Sequence, residues 1–200
     1  LGRKYEFKDL FDSAMARLTS QYPTTLEAYD AIQATIDSFV LYPGFDFDIV
    51  ALDSENNIWS ALPCAYYGVL ERQLFDTIEN KNGTVSHLPN LDVRRCVVAH
   101  EMLVVKQFQS GYTLGWAREW DFDDDCTDLP RCRAVREAIL NWYSEDAMIG
   151  ALEQPNEIGG NLFELCGACA QNAAVGRQKM WEELPEFFDL SPWNELKNDV

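Results

Sequence analysis

FDIVALDSENNIWSALPCAYYGVLERQLF, residues 47–75, is the stretch on which the fold class turns. It reads as two helices joined at Asn56-Asn57, with Pro63 near a helix start or a kink, the places that tolerate a residue without an N–H. Helical spacing continues on both sides of it. Upstream, Phe7, Leu10, Phe11, Ala14 and Leu18 recur at three- and four-residue steps, which predicts a helix over 5–18 with one face on a core. Pro23-Thr24-Thr25-Leu26-Glu27 restarts the chain, with Thr24 as cap and Glu27 completing a capping box. Tyr42-Pro43-Gly44 is a breaker. Downstream, 80–89 reads as a polar turn, and Asn90 caps a long helix to about Phe108, with Leu91, Val98, Leu103 and Val105 among its apolar residues.

After Ser110-Gly111 the pattern changes. SGYTLGWAREWDFDDDCTDLP is aromatic and acidic without a clear period, and predicts an irregular segment. Helical spacing returns over 133–143 and again over 162–181. LPEFFDLSPWNEL, residues 184–196, sets apolar residues around two prolines and predicts a packed extended segment followed by a short last helix. No β-hairpin signal competes. The expectation is an all-α, irregular multi-helix bundle with a loop-rich acidic segment and a packed aromatic C-terminal tail. On that expectation, Trp181, Phe187, Phe188 and Trp193 close a core, where an exposed strip of the same aromatics would instead be a docking surface.

Composition bounds the function classes. A chain of 200 residues with 47% hydrophobic residues, six Trp, eight Tyr and eleven Phe buries a sizeable core and is not intrinsically disordered. The net charge of −17 repels phosphate backbones and anionic lipid, so neither nucleic acid nor a membrane surface is expected as a partner, and a charged partner should be basic. No stretch reaches the length of a transmembrane helix; the apolar run over 97–105 is interrupted by His100 and Glu101. The start, LGRKYEFKDL, has neither an initiator Met nor a signal-peptide apolar region, which points to a processed or partial chain. Asn82-Gly83-Thr84 matches a glycosylation sequon and is read as a turn.

Chemistry concentrates in two places. DFDDDCTDLPRC, residues 121–132, carries Cys126-x5-Cys132, and LCGACA carries Cys166-x2-Cys169. Four cysteines can close a tetrahedral zinc site, and the C-x-x-C turn lets two thiolates reach one ion, although the first pair is wider than the usual two to four. Cys126, Cys132, Cys166 and Cys169 are therefore candidate ligands of a structural zinc. Buried thiols inside a helical pattern are the competing reading, and a Cys126–Cys132 disulfide is a third. Calcium fails on ligands: Asp121, Asp123 and Asp125 fit the first, third and fifth places of an EF-hand-like loop, but its sixth and twelfth places hold Cys126 and Cys132. The aspartates are then solvent-facing. Cys96 and His100 lie four apart on one helix face with no orienting carboxylate, which is the pattern of core packing more than of a nucleophile and its base. No nucleophile elbow, zincin, P-loop or dinucleotide motif is present, and Gly159-Gly160 is a turn. The chain is expected not to be an enzyme.

Several segments together resemble a known family. LGRKYEFKDLFDSAMARL resembles the closing helices of a BTB/POZ domain; QYPTTLEAYDA, ENNIWSALPCAYYGVL and GRQKMWEELPEFFDLSPWNEL resemble the region that follows it in basidiomycete fungal BTB/POZ proteins. In the last of these the matching positions are Gly176, Arg177, Trp181, Leu184, Pro185, Phe187, Phe188, Leu190, Trp193 and Leu196. The resemblance divides the chain into a closing BTB/POZ helix (1–20), a post-BTB helical region (21–110) and a cysteine-containing helical C-terminal region (111–200). It implies cysteines at both of the places found here. It also implies a non-catalytic, intracellular protein-interaction or adaptor role, in the cytoplasm or nucleus, that recruits substrates to a cullin-type ubiquitin ligase. Self-association and cullin contact belong to the BTB body, which would lie upstream of Leu1. A nuclear transcription or chromatin regulator with an acidic interaction surface is the alternative.

Overall fold

The computed structural model describes residues 8–33, 44–72, 78–79, 85–118, 125–145, 149–154 and 165–198. Its described elements are α1 (Lys8–Gln21), α2 (Leu26–Gln33), α3 (Phe45–Asn56), α4 (Leu62–Arg72), β1 (Ile78–Glu79), β2 (Val85–Ser86), α5 (Asn90–Lys106), α6 (Gly115–Arg118), α7 (Leu129–Glu145) and α8 (Gly167–Phe187). The fold is all-α and irregular. A two-residue antiparallel ladder pairs Ile78 with Ser86 and Glu79 with Val85; its second strand lies within the stretch 80–89 expected as a polar turn and its first just before it. Among the described residues no helix is long and apolar enough to cross a membrane. The expected sequon turn, the Tyr42-Pro43 breaker, Gly159-Gly160, Asp121 and Asp123 lie outside the described residues.

Compactness divides the chain differently from the resemblance: one unit is Leu1–Cys96 with Phe188–Val200, the other is Val97–Phe187. In the first unit, α3 and α4 pack together. Asn57 adopts φ 58° and ψ 43°, the left-handed conformation that Asn tolerates, and its N–H donates to the Asp53 carbonyl to end α3. Pro63 is the second residue of α4, where the helix needs no N–H from it. The junction at Asn56-Asn57 is therefore as the sequence predicts. The cap of α2 lies one residue later than expected: Thr25 Oγ1 accepts from the Ala28 N–H at 3.3 Å, so Glu27 does not close a box.

The core of this unit is aromatic. Tyr29 and Tyr67 meet edge to face at 6.5 Å, and Tyr66 stacks on Phe188 at 5.0 Å with 27° between ring planes. The tail thus folds onto the first unit, and Asn198 Oδ1 accepts from the Ser60 N–H at 3.0 Å. Trp193 is only half-buried. The tail contains no last helix among its described residues. Instead α8 continues past Trp181 through Pro185, whose missing N–H falls in the last turn, and Asp189 at φ 56° follows its end. One turn then closes on the Pro192 carbonyl.

Two helices present faces that hydropathy alone misassigns. None of the described side chains of α1 is buried, and Leu10 is 56% exposed. On α5 the buried positions are Asp92, Cys96, Ala99 and Leu103, at helical spacing, while Leu91, Val98 and Val105 face solvent. The buried carboxylate decides that orientation. Tyr66 Oη donates to Asp92 Oδ1 at 2.5 Å, and Arg95 Nη1 reaches the same oxygen at 3.5 Å. Paired in this way, Asp92 is tolerated inside.

In the second unit, α6 packs on α7 and α8 over a core that includes Leu114, Trp116, Val135, Ile139, Tyr143 and Ala173. α6 itself stands in the segment expected to be irregular. Gly176 lets α8 approach the backbone of Tyr112 so closely that a Cβ there would sit 2.5 Å from its carbonyl. Arg177 Nε donates to the Leu152 carbonyl at 2.5 Å, and the buried Gln107 side chain accepts from the Gly150 N–H at 2.9 Å. Gly176 and Arg177 of the tail motif are thus packing and hydrogen-bonding residues.

Candidate metal centre

The four predicted cysteines converge. The Sγ atoms of Cys126, Cys132, Cys166 and Cys169 all lie within 4.8 Å of one another. Cys126 to Cys166 and Cys126 to Cys169 each measure 3.7 Å. Zn–S bonds of about 2.3 Å in a tetrahedron require S···S edges of about 3.8 Å. The donor set and its spacing fit one zinc ion.

Local structure explains why residues so far apart in sequence meet. Asp128, inside the acidic stretch, is the N-cap of α7: its Oδ1 accepts from the Arg131 N–H at 3.3 Å, and its carbonyl accepts from the Cys132 N–H at 2.9 Å. That cap starts the helix earlier than the expected Arg133 and places Cys132 in its first turn. The five-residue spacer from Cys126 is therefore a turn plus a cap, not a loose loop. Cys166 immediately precedes α8, and its carbonyl accepts from the Ala170 N–H at 2.9 Å. The periodicity predicts a helix over 162–181 that would include Cys166; the observed helix starts only at Gly167, and 162–164 lie outside the described residues.

The sulfurs are surrounded by donors. Cys166 N–H donates to Cys132 Sγ at 3.3 Å, and the N–H groups of Cys169 and Thr127 donate to Cys166 Sγ. Those two amides lower the Cys166 thiol to about 5, while burial raises Cys132 and Cys169. Arg136, itself buried, aims Nη2 at Cys169 Sγ from 3.8 Å and holds its guanidinium 5.1 Å from the Trp116 ring. Two helix N-termini, several amides and one guanidinium face the cluster, a surrounding that suits thiolates. Arg136 escapes sequence reading, although its place one turn beyond Cys132 was a usable signal.

The remaining candidates separate from this site. Asp125 is exposed, as expected, whereas Asp128 is half-buried in its capping role. Cys96 is fully buried, and burial, with Asp92 beside it, pushes its thiol up to about 12. A thiol in that state is not a nucleophile at neutral pH.

No protein-family model, no curated protein and no solved structure matches the chain. The labels that the resemblance carried, BTB/POZ, fungal and adaptor, therefore find no support and are withdrawn. Within the tail motif, Gly176 and Arg177 serve close packing and hydrogen bonding.

Proposed function

We propose that this chain is a non-catalytic helical domain stapled by one structural zinc ion on Cys126, Cys132, Cys166 and Cys169. The observation that carries the reading is the convergence of four sulfurs, contributed from the segments on either side of a long intervening stretch, within 4.8 Å. Buried neutral thiols need no donors, whereas four thiolates around one dication are anionic overall. The amides and Arg136 offset that charge. Such an ion supplies a cross-link, and its binding free energy contributes directly to folding. A tetrathiolate requires reduced cysteines, which suits the reducing interior of a cell. The surplus of acidic side chains, −17 overall, suits basic protein partners, and such binding should weaken as salt rises.

Elemental analysis of protein purified without chelator tests the zinc. About one zinc per chain, lost in EDTA together with helical circular dichroism, is the expected result. Folded protein free of metal would overturn the reading, and a red protein containing iron would reassign the same site to a different ion.

A further inference from the structure

The four ligands are not equivalent. Cys132 and Cys169 are fully buried, Cys166 is 5% exposed, and Cys126 is half-buried. Their surroundings differ in the same sense. Cys132 and Cys166 accept from backbone N–H groups, and Cys169 faces the Arg136 guanidinium. Among the described residues no N–H donates to Cys126 Sγ; its sulfur faces those of Cys132, Cys166 and Cys169. Hydrogen bonds and nearby cations withdraw charge from a thiolate and blunt its attack on electrophiles. Cys126 lacks that damping and is also the ligand that solvent reaches.

We propose that hydroperoxides open this centre at Cys126, making zinc retention sensitive to oxidation; the inference rests on the zinc reading above. The Cys126 thiolate attacks one peroxide oxygen, an S–O bond forms, the O–O bond breaks, and hydroxide leaves to take a proton from solvent. The resulting sulfenic acid is then attacked by the thiolate of Cys166 or Cys169, each starting 3.7 Å away. An S–S bond forms, the S–O bond breaks, and a second hydroxide departs and is protonated. Two thiolates have lost two electrons, the peroxide has gained them, and two waters are the other product. Zinc left with two thiolates dissociates, because the disulfide is no longer an anionic ligand. A lone pair of thiols elsewhere in the chain cannot substitute: Cys64 and Cys96 are both buried, and burial raises both.

The test uses the whole zinc-loaded protein with substoichiometric hydrogen peroxide. Released zinc is followed with a chromogenic chelator, and disulfides are mapped by mass spectrometry after alkylation. The expected result is about one zinc released per peroxide consumed, with Cys126 in the first disulfide, Cys64 and Cys96 still reduced, and recovery on adding thiol and zinc. Zinc retained at a peroxide dose that oxidises free glutathione overturns the proposal and leaves the zinc reading standing. A first disulfide between Cys166 and Cys169 also overturns it. Protein that holds no zinc before peroxide is added removes the zinc reading, and this inference with it.

Discussion

The two compact units treat the same residue type in opposite ways. In the first, Cys64 and Cys96 stand apart, each enclosed by core; Cys64 donates to the Pro23 carbonyl at 3.1 Å, and burial holds both sulfurs as neutral thiols. In the second, Cys132, Cys166 and Cys169 are just as buried, yet amides and a guanidinium face their sulfurs. Burial therefore does not make a cysteine a ligand. The donors placed around a buried sulfur decide whether it is held as a thiol or favoured as a thiolate.

The sharpest way to break the comparison is to remove one ligand. Cys169→Ser should abolish stoichiometric zinc and unfold the second unit, a loss on the order of 10 kcal/mol of metal-linked folding free energy, read as lost zinc and as a changed emission from the buried Trp116 and Trp181. Phe188→Ala should cost about 3–5 kcal/mol by emptying the site stacked on Tyr66, with zinc content unchanged; a thermal melt measures it. Trp193→Ala, at a half-buried position, should cost clearly less.

Another prediction concerns Asp53, fully buried in α3 with neither carboxylate oxygen hydrogen-bonded among the described residues. Burial raises its carboxyl to about 7 from an ordinary value of 3.8. The folded state then holds a proton that the unfolded state has released, so stability falls as pH rises from about 4 to about 7. The contribution is on the order of 4 kcal/mol across that window. Asp53→Asn should flatten the pH dependence of denaturant midpoints between about pH 4 and pH 7. An unchanged slope would mean that the carboxyl finds a partner in solution. Smallest of all, Cys96→Ala should cost about 1 kcal/mol and leave zinc untouched, which would confirm that its burial is mere packing.

What was legible in the sequence follows the range of the interactions involved. The α3–α4 junction is readable because Asn57 and Pro63 act through their own backbones. Both cysteine pairs are readable as pairs, because ligand spacing is a local property. Their meeting is a tertiary event that only the folded chain brings about. The buried face of α5 was unreadable for the same reason: Asp92 is inside only because Tyr66, 26 residues earlier, donates to it. Periodicity over 5–18 marks an apolar stripe but cannot say what covers it, and on α1 no described side chain is buried. The last turns of α8 were missed because Pro185 reads as a stop, although the helix carries it in its last turn.

The division of the chain carries a consequence for how it assembles. The first unit is interrupted, since Phe188 must find Tyr66 across the whole insert Val97–Phe187. While that insert is a random coil, closing it costs roughly 4 kcal/mol in its length-dependent entropy alone. On the zinc reading proposed above, an insert folded around an ion would hold its ends at a fixed separation, and most of that search would already have been done. Metal supply would then govern not only the unit that binds it but the order in which a nascent chain completes itself, with the aromatic tail docking last.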